Sequence, residues 1–206
     1  YITNQLLGRI FKIKPNFESQ FITGLILAMI IGPLSFLPNL LFLTLTPIIA
    51  MSSKYLINIG KQHIFNPAAF AIVIMAIIFG KGISWWIGNL AMFPFIFLGG
   101  LIVIRKIQRA NLVLGFLIPY VVVILLTNAQ SFSSYQNFLD VFRNTFLISP
   151  ILFFSFVMLT EPITSPSNKK LRAYYGIFTA IVFFLLQKFS SIPYSLELSL
   201  LFANTA

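Results

Sequence analysis

Apolar residues run through this chain in long stretches broken by short knots of proline, glycine and charge. Eight stretches stand out, at residues 20–34, 37–56, 67–80, 87–104, 111–127, 143–160, 173–188 and 194–206. A helix needs about 20 apolar residues to cross a bilayer, and fewer where it is broken or tucked between other helices. The pattern therefore predicts an all-α integral membrane protein with about eight transmembrane helices, some of them short or broken. The first, third and last stretches are short for a full crossing. An apolar segment that ends as Ile31-Gly32-Pro33 has the form of a broken helix lining a site.

Charge tests that count and gives it a direction. With the amino end inside, the inner segments hold Arg9, Lys12, Lys14, Lys54, Lys61, Arg105, Lys106, Arg109, Lys169, Lys170 and Arg172. The outer segments hold Lys81, Arg143 and Lys188. Eleven cations against three satisfies the positive-inside rule, so both termini are expected on the cytoplasmic side of a cell inner membrane. Trp85 and Trp86 fall at the outer end of a span, where an aromatic belt would place them. The whole of residues 1–206 reads as a single transmembrane domain. Residues 1–19 are expected to be the tail of an earlier span plus a cytoplasmic segment, in a chain cropped from a longer one.

Composition agrees with a lipid solvent. Of 206 residues 58% are hydrophobic and 9% charged, and mean hydropathy is +0.94. Soluble domains run near a quarter charged, so this residue set cannot build a water-facing surface. The formal charge of +10 invites a nucleic-acid reading. Its cations, however, sit in short clusters between apolar runs rather than on one polar face, so no nucleic-acid partner is expected. Cysteine is absent, which removes disulfides, thiolate metal sites and cysteine nucleophiles.

Chemistry is confined to two polar interruptions. The first, Gly60 to Pro67, packs the one histidine, His63, with Gln62, Asn66 and Pro67. Asn before Pro is an ordinary helix start, but a polar cluster at the mouth of a broken helix can also hydrogen-bond the edge of a planar heterocycle. The second is Leu159 to Lys170, where Glu161 ends an otherwise apolar helix beside Thr160, Thr164 and Ser165. An acid there is costly unless it is paired or lines a cavity. Alternatively this is a well-capped loop whose cations meet lipid phosphates. One histidine and four acids make neither a metal centre nor a hydrolase triad, so no catalytic residue and no metal ligand is assigned. Any redox chemistry must belong to a bound cofactor.

An internal duplication is hinted at by the spans Thr23 to Pro33 and Phe153 to Pro162, each stopped by proline. From about Asn16 to the end, the chain resembles the RnfD/NqrB family, membrane proteins of the Rnf electron-transport complex and of the sodium-pumping NADH:quinone reductase. The resemblance is carried by Glu18 to Ala28 with Pro33, by Ser53-Lys54-Tyr55 with Phe65-Asn66-Pro67-Ala68, and by Met158 to Pro166 with Tyr175-Gly176. It implies inverted repeats with a fold like that of urea transporters. It also implies a riboflavin or FMN held non-covalently by the loop ending in Asn66-Pro67. Thr160, Glu161, Pro162 and Thr164 match the family's Thr-Asp-Pro-x-Thr signature with Glu for Asp, and His63 stands where a second Asn is usual. The isoalloxazine is then expected against Asn66 and His63, with the loop from Thr160 to Ser165 closing the other side.

Two departures qualify the match. The family's outer loop of the form Ser-x-Ala-Thr, which carries an esterified FMN, is absent; Lys81 to Trp86 contains no threonine. No covalent FMN is expected. The family's two opening spans are also largely absent. The short outer loop and Asn16-Phe17-Glu18-Ser19 resemble variants joined to a soluble NAD(P)H- and FAD-binding reductase domain, which would follow Ala206. The expected role is the flavin-binding membrane module of an NAD(P)H-linked oxidoreductase system, a redox subunit rather than a stand-alone catalyst. A channel or transporter for a small solute is the alternative.

Overall fold

In the computed structural model, which describes residues 1–35, 37–60, 62–80, 83–129, 132, 135–190 and 192–205, every one of the eight apolar stretches lies on a helix. Lys61 and Lys81 lie outside the described residues. The chain divides into two units: residues 1–86 with 190–206, and residues 87–189.

The first unit opens with α1 (Ile2–Ile10) and α2 (Phe17–Ile30). Asn16 starts α2 by accepting the Ser19 N–H at 3.0 Å, and Gly32-Pro33 stops it, since proline cannot continue the ladder and disfavours helix just ahead of it. Helix α3 (Leu40–Leu56) contains Pro47, and Thr44 and Thr46 turn their hydroxyls onto the carbonyls of Leu40 and Phe42. Such threonine bonds resatisfy backbone near a proline where no water is at hand. A two-residue hairpin follows, β1 (Asn58–Ile59) against β2 (Gln62–His63), with Asn58 opposite His63 and Gly60 at φ +66° in the turn. Helix α4 (Pro67–Phe79) is the centre of this unit. Ala68, Ala69, Ala71, Ile72, Val73, Met75 and Ala76 are all buried, so its apolar surface is covered nearly all round. The four alanines let neighbouring backbones approach closely, which is how helices gain packing when lipid offers no hydrophobic drive. The unit is completed by α10 (Ser195–Asn204), which packs on α4.

The second unit is contiguous in sequence. It contains α5 (Phe93–Ile107), α6 (Ala110–Thr127), a broken element and α9 (Lys169–Ser190). The break has a local cause. Helix α7 (Tyr135–Phe142) widens into a π-turn over Arg143–Leu147, and Pro150 restarts the chain as α8 (Ile151–Phe153), which widens again over Phe154–Met158. The two halves meet at 44°. Gly176 of α9 lies directly on the α6 backbone, where an added Cβ would stand 2.8 Å from the Phe116 nitrogen and closer still to the Leu112 carbonyl.

Length separates the helices into classes. Among the described residues α6 and α9 are long and apolar enough to cross a bilayer, and the bent pair adds a third crossing if counted as one. Helices α2, α3 and α4 are apolar but shorter. Side-chain exposure shows the solvent they face. On α6, Leu114, Ile118, Val122 and Leu125 are exposed, and on α9, Tyr174, Phe178, Ile181 and Leu185. Both sets recur every three or four residues, so each is a stripe on one helix face, suited to acyl chains and unsuited to water. The opposite faces, Leu112, Phe116 and Tyr120 on α6 and Tyr175, Thr179 and Phe183 on α9, are buried. The protein is an all-α integral membrane protein.

Candidate functional site

The polar residues singled out in the sequence fall into two sets, one in each unit. In the first unit, His63, Asn66 and Pro67 come together at the junction of the hairpin with α4. Pro67 occupies the first helical turn, where its missing N–H costs nothing. Asn66 is the cap; its Oδ1 accepts the Ala69 N–H at 3.0 Å. Its own backbone N–H donates to Oδ1 of Asn204 at 2.9 Å, across 138 positions. Asn66 is 1% exposed and His63 8%. The ordinary reading of Asn-Pro as a helix start is therefore realised, and the cluster gains a member in Asn204 that no local pattern announced. A single Asn near the end of an apolar stretch carries no signal of its partner.

The neighbouring rings Phe65 and Phe70 are stacked at 5.7 Å. The set thus combines hydrogen-bonding groups, an imidazole and two amides, with aromatic surface. Lys54, counted in the sequence among the inner-loop cations, lies in α3 instead. Its Nζ donates to Ser19 O at 3.0 Å, Ser19 Oγ at 2.8 Å and Thr23 Oγ1 at 2.8 Å, tying α3 to α2.

In the second unit, Thr160, Glu161, Thr164 and Ser165 form one tight loop. Buried Thr160 donates to the Phe156 carbonyl at 2.7 Å. Thr164 Oγ1 donates to Glu161 Oε2 at 3.3 Å, and Ser165 donates both its N–H (3.2 Å) and its Oγ–H (2.5 Å) to the Glu161 carbonyl. The loop is braced by two guanidinium groups to which the charge pattern assigned only a topological role. Arg109, 6% exposed, donates to Ser165 Oγ, to Pro166 O at 3.3 Å and to Pro162 O at 3.3 Å. Arg172 donates to Pro166 O (3.1 Å), Gln108 O (2.8 Å) and Ser167 O (2.8 Å). Prolines leave carbonyls without a helical partner, and the rigid fork of an arginine can serve several at once. Burial, then the nearby Arg172 charge, holds the Arg109 guanidinium below its ordinary pKa, with Tyr175 acting the other way. This unit also has a half-open apolar recess of about 40 Å³ near Val121, Phe138 and Phe142. Among the described residues there is no group of His, Cys, Asp and Glu able to hold a metal.

The Trp pair divides its duties. Trp86 is half-exposed and donates from Nε1 to the Ala28 carbonyl at 2.6 Å, whereas Trp85 is buried.

Residues 87–206, more than half of the chain, match the NQR2, RnfD, RnfE family. The chain belongs to that family. Its members are membrane subunits of the Rnf and Nqr electron-transport complexes, so other subunits are natural partners for this NQR2, RnfD, RnfE protein. The matched stretch contains the Thr160 to Ser165 loop, Tyr175-Gly176 and Asn204. The stretches around Glu18, Ser53 and Asn66 precede it. No curated protein matches the chain.

Proposed function

We propose that this protein is a flavin-binding electron-transfer module that works with an NAD(P)H- and FAD-dependent reductase. The observation that carries the reading is a hydrogen-bonding cluster at the start of α4, buried His63 and Asn66 with half-buried Asn204, in a chain of an electron-transport family. The edge of a flavin ring alternates acceptors with one N–H donor. Imidazole and amide side chains suit that edge because each carries both functions.

When bound, a flavin supplies the electron chemistry. The chain's own part is orientation and electrostatics. Asn66 holds the first turn of α4 in place, and the N-terminal end of that helix favours negative charge nearby. Most of α4 is buried, its last turn at Ile77 and Ile78 excepted, so packing holds the start of the helix in place. Thr160, Glu161, Thr164 and Ser165 form a second candidate set, which Arg109 and Arg172 hold rigid. The cofactor is non-covalent in this proposal, since Lys81 to Trp86 offers no threonine for an ester. Both termini, by the same proposal, face the cytoplasmic side of an inner membrane, next to such a reductase.

The test is the absorption spectrum of the purified protein. The expected result is a flavin band that leaves with the filtrate after denaturation. A colourless protein from cells supplied with riboflavin sinks the proposal, and a band retained on the denatured chain sinks its non-covalent part. Family membership in electron transport makes a solute channel the weaker reading.

A further inference from the structure

Glu197 lies in α10 with 0% of its surface exposed, and neither of its carboxylate oxygens has a hydrogen-bond partner. It takes no part in either candidate set described above. At ten residues α10 reaches about 15 Å and does not span a bilayer. The helix packed on it, α4, carries no titratable residue from Pro67 to Phe79, and Glu197 is the sole titratable group of α10 itself. Tyr194 precedes it at the cap. The described residues of the Trp85 segment, Ile83 to Trp86, contribute none. On the helices that pack on α4 in turn, Lys54 of α3 is engaged with Ser19 and Thr23 of α2, Tyr55 with Asn4 of α1, and Glu18 sits in the first turn of α2. No cation faces the Glu197 carboxyl from α4 or from its own helix.

The group beside this carboxyl is held in an unusual way. The Trp85 side chain stands beside this carboxyl, near enough to act on it but not completing a hydrogen bond to either oxygen, and Trp85 is itself buried. Its backbone stands at φ +43°, a left-handed conformation that a bulky residue adopts only when its surroundings compel it. Those surroundings are visible. The Trp85 N–H donates to Ile30 O at 3.0 Å, and the adjoining Trp86 indole is bonded to Ala28 O, so both groups cap free carbonyls at the end of α2. Gly32 leaves room for Ser84 in the same place. The chain at the strained residue Trp85 is thus fastened to the end of α2.

A buried carboxylate without a partner costs far more than a buried carboxylic acid, and an acid of this kind inside a membrane protein marks a functional site. We propose that Glu197 is a proton-binding site and that Trp85 is the cover over it. When the segment at Trp85 opens, one carboxylate oxygen gains an O–H bond to a proton from water, or releases it, with nothing oxidised or reduced. When the segment closes, the proton is trapped. This site lies beyond the flavin reading and does not depend on it.

The full chain contains two tryptophans, which makes the test direct. In purified Trp86→Phe protein, Trp85 is the only indole, and a neutral carboxylic acid quenches an adjacent indole more than a carboxylate does. The expected result is a single step in Trp85 fluorescence between acid and alkaline pH after long equilibration, lost in Trp86→Phe/Glu197→Gln. An absent step, or one that persists in the Gln variant, overturns the proposal. If the Gln variant does not fold, Trp86→Phe/Glu197→Asp retains an acid and should show the step at a displaced pH. An unmoved midpoint overturns it equally.

Discussion

Gly176→Ala adds one methyl group at a close helix crossing in the second unit. The new Cβ would stand 2.8 Å from Phe116 N and 3.0 Å from the Gly115 carbonyl carbon, and closer to the Leu112 carbonyl. All three are backbone atoms of α6, so no rotamer change relieves the overlap. Ordinary contact begins near 3.4 Å, and the Leu112 carbonyl is the limiting contact, so α6 and α9 must move apart by about 1 Å. A gap of 0.5–1 Å forfeits roughly a quarter to a half of the dispersion energy of the atoms across it. In lipid, where helix association rests on that packing, the cost is about 1–3 kcal/mol. Gly115 lies on the same seam, with its added Cβ 2.5 Å from Ala173 O. Either substitution forces the same separation, so the double variant should cost less than the sum of the singles. The assay is reversible denaturation of the purified protein in mixed micelles, with Gly24→Ala and Gly99→Ala as controls. Nothing lies within 4 Å of an added Cβ at those two helical positions, so alanine there should stabilise by about 0.5–1 kcal/mol. A neutral or stabilising Gly176→Ala, or strict additivity with Gly115→Ala, would refute close packing as the reason for these glycines.

Asn66→Ser keeps an N-cap acceptor and removes the amide. Stability should stay within a few tenths of a kcal/mol while flavin retention falls; Asn66→Ala should in addition cost about 1 kcal/mol. Equal flavin content in all three proteins would assign Asn66 to the cap alone. Arg109→Lys keeps the charge and loses the fork to Pro162, Ser165 and Pro166. It should cost about 2 kcal/mol and speed hydrogen exchange over residues 160–168, and unchanged exchange would remove Arg109 as the brace. Trp86→Phe deletes the bond to Ala28 O and should cost about 1 kcal/mol, measured by the same denaturation. A loss above about 3 kcal/mol would mean that Trp86 anchors more than one carbonyl.

The helices were legible because apolar length and proline position are local properties. Pro33 and Pro67 each mark a boundary that the backbone obeys, whereas Pro150 divides the stretch 143–160 that reads as one span, and Pro47 and Pro119 lie within helices. Burial was not legible on the same terms. Trp85 and Trp86 are adjacent and chemically identical, yet one is buried and the other reaches outward, a choice made by the left-handed backbone at Trp85. Lys54 and Arg109 read as orienting charges because a cation's partners, here neutral oxygens from distant segments, leave no trace beside it in sequence. The same holds for Asn204, whose link to Asn66 is created by the return of the last helix.

That return has a consequence for biosynthesis. Residues 87–189 form a continuous unit, every part of which is made before α10. The unit begun first must wait. Until α10 has been made, α4 lacks one of its covering helices and the Asn66 N–H lacks its acceptor on Asn204. The first unit therefore reaches its final state only after the whole of the second has been made. During that interval, membrane quality control would meet an uncapped polar junction belonging to a half-built protein.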